Sequence, residues 1–264
     1  MSKFSILAAV FTLFLILETV FPLRKTIEPK VRRIARNLTM AIVSGIIARF
    51  SAVLIVLWAA EFTAENKFGV LHVFGAFSWP PFLLLAIELV ALDYLIYHWH
   101  RFNHVVPFLW RFHQPHHLDH ELDASTALRF HFFEIVLSGC FRTACILAIG
   151  FSLEAVLLFE VLVTGAAIFH HSNFNLPLWF ENSIGTLLIT PRRHWVHHRP
   201  TKELTDSCYG TVLTIWDRLH KTLKPLETDL QKIVGVSNDN TEAAASRKPD
   251  DLREALLSPF ARSL

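Results

Sequence analysis

The chain has 264 residues, 52% of them hydrophobic, with 15 His against 3 Cys and 2 Met. A mean hydropathy of +0.38 excludes an ordinary soluble domain, whose apolar share including Gly is about 45–50%. A formal net charge of +2 excludes a global field for nucleic acid, and three scattered cysteines exclude a disulfide framework or a thiolate metal site.

In chain order, apolar runs at roughly 4–21, 38–60, 80–100, 131–150 and 152–170 are long enough to cross a bilayer as helices, which takes about 20 residues. The first follows Lys3 and runs straight into Arg24, Lys25, Lys30, Arg32, Arg33 and Arg36 without a small-residue cleavage site. It therefore reads as a membrane anchor rather than a cleaved leader. The six basic residues predict that the 22–37 loop lies in the cytoplasm. Alternation then sends the 61–79 loop outside and returns the ends of the third and fifth spans to the cytoplasm. Every histidine-dense segment falls on that one side.

Charges inside the spans are expensive and usually face the bundle interior. Arg49, Glu88, Arg142 and Glu160 are of this kind, and Arg49 pairing with Glu88 is one arrangement the depths allow. Glu134 and Glu154 stand near span ends and read as interfacial, Glu154 completing a helix start after Ser152.

The third span ends in DYLIYHWHRFNH. On a helix, Asp93, Tyr97, His100 and His104 share a stripe about 60° wide. His100 and His104 then stand one turn apart, suited to grip one ion, and Asp93 and Tyr97 lie deeper, where they would orient ligands. Next comes H-x2-HH, with His113, His116 and His117. Pro115 inside it predicts that His113 precedes a helix begun by His116 and His117. FHHSN puts His170 or His171 at the end of the fifth span. In TPRRHWVHH, Thr190 is an N-cap and Pro191 a first helical residue, so His194, His197 and His198 share a face and converge on a point. Singly, each cluster is equally an interfacial or surface group. Jointly they bring nine imidazoles to one side of the membrane, more than the four of a structural zinc site. Two ions with four or five nitrogens each would account for them. Imidazole alone does not choose among Zn, Cu, Fe and Ni.

The ordered set Asp93, Tyr97, His100, Arg101 and His104, then H-x2-HH, STALRFHFFE, FHHSN, TPRRHWVHH and DSCYG…WDRL resembles the fatty acid hydroxylase/sterol desaturase superfamily over residues 80–222. The resemblance implies an all-α, polytopic membrane bundle of four to five spans with a cytoplasmic helical cap carrying the histidines. It implies an oxidoreductase with two non-haem iron ions that uses O2 as co-substrate to hydroxylate or desaturate a lipid of sterol, fatty acyl, alkylglycerol or carotenoid type. The metal ligands carried over by position are His100, His104, His113, His116, His117, His171, His194, His197 and His198. His131 matches a recurrent position with a structural or ligand-orienting role, beside Asp93 and Tyr97. His72, His120 and His220 fall outside the pattern.

Cys208 stands where the resemblance has Asn, and His220-Lys221 where it has Phe-Gly. The division implied is an anchor region 1–79, a catalytic region 80–222 and a tail 223–264 with a mobile stretch and a short amphipathic helix. No dinucleotide or ferredoxin-type motif is present, so electrons are expected from an external donor, a reductase/ferredoxin or b-type cytochrome. Arg192, Arg193 and Arg199 are candidates to meet that donor or lipid headgroups. A membrane zinc hydrolase and a metal carrier without enzymatic activity are the alternative readings.

Overall fold

The computed structural model describes residues 2–26, 28–226, 234–235 and 252–260. The tail stretch expected to be mobile lies largely outside these residues. The described chain is helical: α1 (Lys3–Val20), α2 (Lys30–Arg49), α3 (Ala52–Asn66), α4 (Val70–Val73), α5 (Pro81–Val105), α6 (Pro107–His117), α7 (Phe132–Ile149) and α8 (Leu153–His171) build the body. The short helices α9 (Leu178–Ile184), α10 (Pro191–His197), α11 (Lys202–Thr205), α12 (Ile215–Leu219) and α13 (Leu252–Leu257) cover one end of it.

Four helices, α1, α5, α7 and α8, are long and apolar enough to cross a membrane, and α2 with α3–α4 forms a fifth, bent by 44°. The sequence predicts a span at roughly 38–60; the structure divides it between two helices that extend beyond those bounds on both sides. Ser51 Oγ donates to the Ile47 carbonyl and Ser51 N–H bonds Ala48, so the local backbone abandons the regular ladder. Beyond the break, α3 packs directly on α7. A Cβ on Gly139 would stand 2.4 Å from Ala52 Cβ, so only glycine permits this approach.

The passes alternate in direction. The end of α1 meets the end of α8, where Glu18 accepts from the N–H groups of Ala124 and Asn173. The start of α2 joins the same end through the ion pair of Arg33 with Asp123, 2.7 Å long. At the opposite end Ser152 caps α8 by accepting from Ala155, and Glu88 of α5 accepts from both the N–H and the hydroxyl of Ser152. Glu88 therefore serves a helix start rather than the Arg49 pairing that the depths allow. Gly69 and Gly150, both at positive φ, are pressed backbone to backbone there, where any side chain would collide.

An apolar core of Val56, Ala59, Leu92, Ile146, Phe151, Val156 and Phe159 fills the half of the bundle nearest that glycine contact. Large apolar side chains such as Ile46, Leu54, Trp58 and Phe82 face outward, as a lipid-facing surface requires. Within the bundle, Arg142 of α7 forms an ion pair with Glu160 of α8.

The histidine end rests on a buried polar network. Arg33 holds Glu121 and Asp123, Arg36 holds Glu28, and Asn37 bridges Asp119, Ser125 and Arg129. These bonds consume two of the basic residues that the charge rule assigns to solvent.

Candidate metal centre

Each histidine arrives on a helix whose start or end is fixed by a nearby polar contact. Pro81 opens α5, which runs 25 residues to present His100 and His104 on its last turns. Pro107 opens α6, and contrary to expectation the helix continues through Pro115, so His113, His116 and His117 share its final turns. Arg129 Nε donates to the Pro115 carbonyl at 2.7 Å, holding that turn in place from outside. Burial pushes the Arg129 guanidinium down to about 10, against the pull of Asp119. His171 closes α8. Pro191 opens α10, whose exposed N–H at Arg192 is capped by the Glu181 carboxylate of α9 at 2.9 Å rather than by the Thr190 side chain.

Four helices, α5, α6, α8 and α10, bring nine imidazoles together. His100, His104, His113, His117 and His197 form one group, and His116, His171, His194 and His198 a second. Within each group the candidate ligand atoms lie within 4.8 Å of one another. All nine are residues named from the sequence, and all but His100 are buried. His170 stays outside both groups, its Nδ1–H donating to the Thr211 carbonyl.

The two H-x2-HH motifs are near copies in space. Ring centroids of His113 and His116 are 5.3 Å apart, those of His194 and His197 5.2 Å. The first-to-last separations are 4.9 and 4.8 Å, and both adjacent pairs stand 5.4 Å apart. Each motif gives its outer two rings to one group and its middle ring to the other. The three imidazoles of α10 thus do not converge on one point, as the shared face predicts. His194 and His198, one turn apart, stay together, and the middle ring, His197, joins the other group.

The hydrogen bonds prepare the rings to bind a cation. Nδ1–H of His100, His116, His171 and His197 donates to the carbonyls of Tyr209, Arg129, Ala167 and Ser207. A carbonyl can only accept, so in the neutral ring Nε2 is left with a bare lone pair. His113 Nδ1–H donates to the Glu134 carboxylate at 2.8 Å. The bare Nε2 atoms of His116 and His171 then face each other at 3.0 Å, too close for two lone pairs with nothing between them. Nε2 atoms of His171 and His194 approach to 2.9 Å, and those of His194 and His198 to 3.1 Å. Two nitrogens each about 2.1 Å from one ion, at right angles, stand about 3 Å apart. His197 Nε2 and both nitrogens of His104 are buried with no hydrogen-bond partner. The donor set fits metal cations.

Electrostatics agree. Burial pushes His113 down to about 3. Burial first, and neighbouring histidines second, hold His116, His117, His194, His197 and His198 well below the ordinary imidazole range. Neutral imidazole is the ligating form.

The residues expected to orient ligands act elsewhere. Asp93 accepts from Leu213 N–H and Trp216 Nε1, and the Tyr97 hydroxyl bonds Thr222. Both pin the 209–222 segment, and only through Tyr209 does that segment reach His100. His131 caps α7 by accepting from Phe133 N–H and stacks on Phe112, touching none of the nine. Glu134, one turn further, is the direct partner that a reading as interfacial misses. Its place in STALRFHFFE was the available signal. Arg192, Arg193 and Arg199 are buried, so they present no surface to a donor or a headgroup. Arg192 binds Glu181 and Asn175, and Arg193 donates to the Lys224 carbonyl. Cys208 and Lys221 both adopt positive φ, 51° and 58°. His72 stacks on Phe77 at the far end, and His220 bonds Tyr94.

A cavity of about 470 Å³ reaches from the histidines into the bundle. His100, His113, His116, His171 and His194 form its polar end, and apolar side chains of α3, α5, α7 and α8 most of its wall.

The family model described as fatty acid hydroxylase matches residues 85–222. Alkylglycerol monooxygenase of Homo sapiens is 32% identical over 154 residues, 55% of this chain and 31% of that protein. Ornithine lipid hydroxylase OlsE of Rhizobium tropici is 27% identical, over 58% of this chain and 46% of its own length. A cholesterol 25-hydroxylase-like protein of Danio rerio is 30% identical, over 53% and 55% respectively. The chain thus spans about a third to a half of these relatives. No solved structure matches.

Proposed function

The chain belongs to the fatty acid hydroxylase family, and from that premise we propose that it is a multi-pass membrane oxygenase acting on a lipid. The nine grouped histidines would hold two iron ions, five nitrogens on one and four on the other. Bound there, the iron pair would supply dioxygen activation with external electrons, giving an alcohol by insertion of one oxygen atom or a double bond by removal of two hydrogens.

The chain's own residues do the rest. Carbonyls of Tyr209, Arg129, Ala167 and Ser207 fix the tautomers of four ligands, and Glu134 holds the Nδ1 proton of His113. The cavity admits an apolar chain from the bilayer and shields the reacting carbon from water. The observation that carries this reading is the meeting of nine imidazoles, eight of them buried, from α5, α6, α8 and α10 at the end of that cavity. The relatives' names, an alkylglycerol monooxygenase, an ornithine lipid hydroxylase and a cholesterol 25-hydroxylase-like protein, support a lipid substrate for this chain. Electrons would come from a separate donor protein. Arg24, Lys25 and Arg32, at the same end as the histidines, support a cytoplasmic site.

Comparative lipidomics of a deletion strain complemented with the wild type or with His197→Ala tests the proposal. A lipid heavier by one oxygen, or lighter by two hydrogens, should accompany the wild type alone, and its formation should require oxygen. Identical lipid profiles, or oxygen-independent turnover by a zinc-loaded protein, overturn it.

A further inference from the structure

The ion pair of Arg142 with Glu160 is not used by the metal centre. It lies near the middle of α7 and α8, at the depth where a charge is most costly, and both residues line the cavity rather than the lipid face. Helical rise sets its distance from the histidines. Glu134 and Arg142 are eight residues apart on one stripe of α7, about 12 Å, and Glu160 precedes His171 on α8 by about 16 Å. Ser138 and Thr164, one turn from each partner toward the histidines, add hydroxyls to the same wall.

Two features make this more than a tie between helices. The side chains remain 25% and 34% exposed, and the space they face is the cavity that ends at the metal centre. The pair is also electrically balanced. An anionic lipid group placed against it would leave an uncompensated negative charge in a medium that screens poorly, and a cationic group the reverse. A neutral group that both donates and accepts satisfies both partners, donating to the Glu160 carboxylate and accepting from the Arg142 guanidinium. Lys3 also lines the cavity, its ammonium 5.5 Å from the centroid of the Phe4 ring.

We propose that Arg142 and Glu160 form a recognition subsite for a neutral hydroxyl of the lipid substrate, fixing which carbon, about 12–16 Å away, reaches the histidines. The inference deepens the lipid-oxygenase reading and rests on it, but its test is binding rather than turnover. Purified wild-type protein in detergent is titrated with hexadecanol, its methyl ether and palmitate, read by displacement of a fluorescent fatty alcohol. Wild type should bind the alcohol about tenfold more tightly than the ether or the carboxylate, about 1.4 kcal/mol. The double variant Arg142→Met with Glu160→Met should bind all three alike while melting as wild type does. If that variant does not fold, the exchange Arg142→Glu with Glu160→Arg, which keeps one donor and one acceptor, should retain the preference. Equal wild-type binding of alcohol and ether, or a preference that survives in the double Met variant, overturns the subsite. Either result leaves the oxygenase reading to the lipid profiles of the His197→Ala strain.

Discussion

Glu134 on α7 accepts the Nδ1 proton of His113 on α6 at 2.8 Å, and so fixes which nitrogen of that ring faces its group. A carboxylate in this place makes the imidazole a stronger donor, and losing such a partner costs about 10–100-fold in metal affinity. Glu134→Ala should therefore release iron to a chelator at correspondingly lower concentration. Glu134→Gln, which keeps an accepting oxygen, should fall between Ala and wild type. Equal retention by all three would remove Glu134 from the design.

The helices divide their ligands unequally. α5 supplies only the first group and α8 only the second, whereas α6 and α10 feed both. His171→Ala should thus lose iron from the four-nitrogen group and keep the other, and His104→Ala the reverse. Metal analysis with iron spectroscopy on the two variants should give different residual signals. Identical residual signals would mean that the groups do not act as separate sites.

Lys221 is exposed and sits at φ 58°, a region that costs a residue with a Cβ about 1–2 kcal/mol. Lys221→Gly relieves that strain at an entropic cost of about 0.5–1 kcal/mol in the unfolded chain. The melting temperature should rise by about 2–4 °C for a net gain of about 1 kcal/mol. No change or a fall in a thermal-shift assay would count against strain at this turn.

Burial, with Asp217 second, pushes the Cys208 thiol up to about 11 from an ordinary 9.0. Above pH 9 the unfolded chain gives up this proton while the folded one keeps it, so the contribution of Cys208 to stability declines as pH climbs from 9 through 11. Cys208→Ser should flatten that decline. In the folded protein at pH 8, Cys208 should resist iodoacetamide, and mass spectrometry should find it labelled only after denaturation.

The passes were legible because an apolar run of fixed length has few alternatives to crossing a bilayer. The bend between α2 and α3 was not, since it comes from a serine bonding its own helix and from a glycine on α7. The histidines were legible as a set, through helical spacing and through the family resemblance. Their division was not: periodicity places three rings on one face but cannot say that the middle ring of each motif turns to the other group. Glu134 was misread because its partner lies 21 residues earlier on another helix. Arg192 and Arg193 looked like surface charge because Glu181 and the Lys224 carbonyl meet them only in the folded chain.

His116 and His117 are covalent neighbours, as are His197 and His198, and each neighbouring pair straddles the two groups. The separation of the two histidine groups is therefore gauged by peptide bonds on two short helices, not by loops that can drift. A displacement of α6 or α10 would act on both groups at once, whereas one of α5 or α8 would act on a single group.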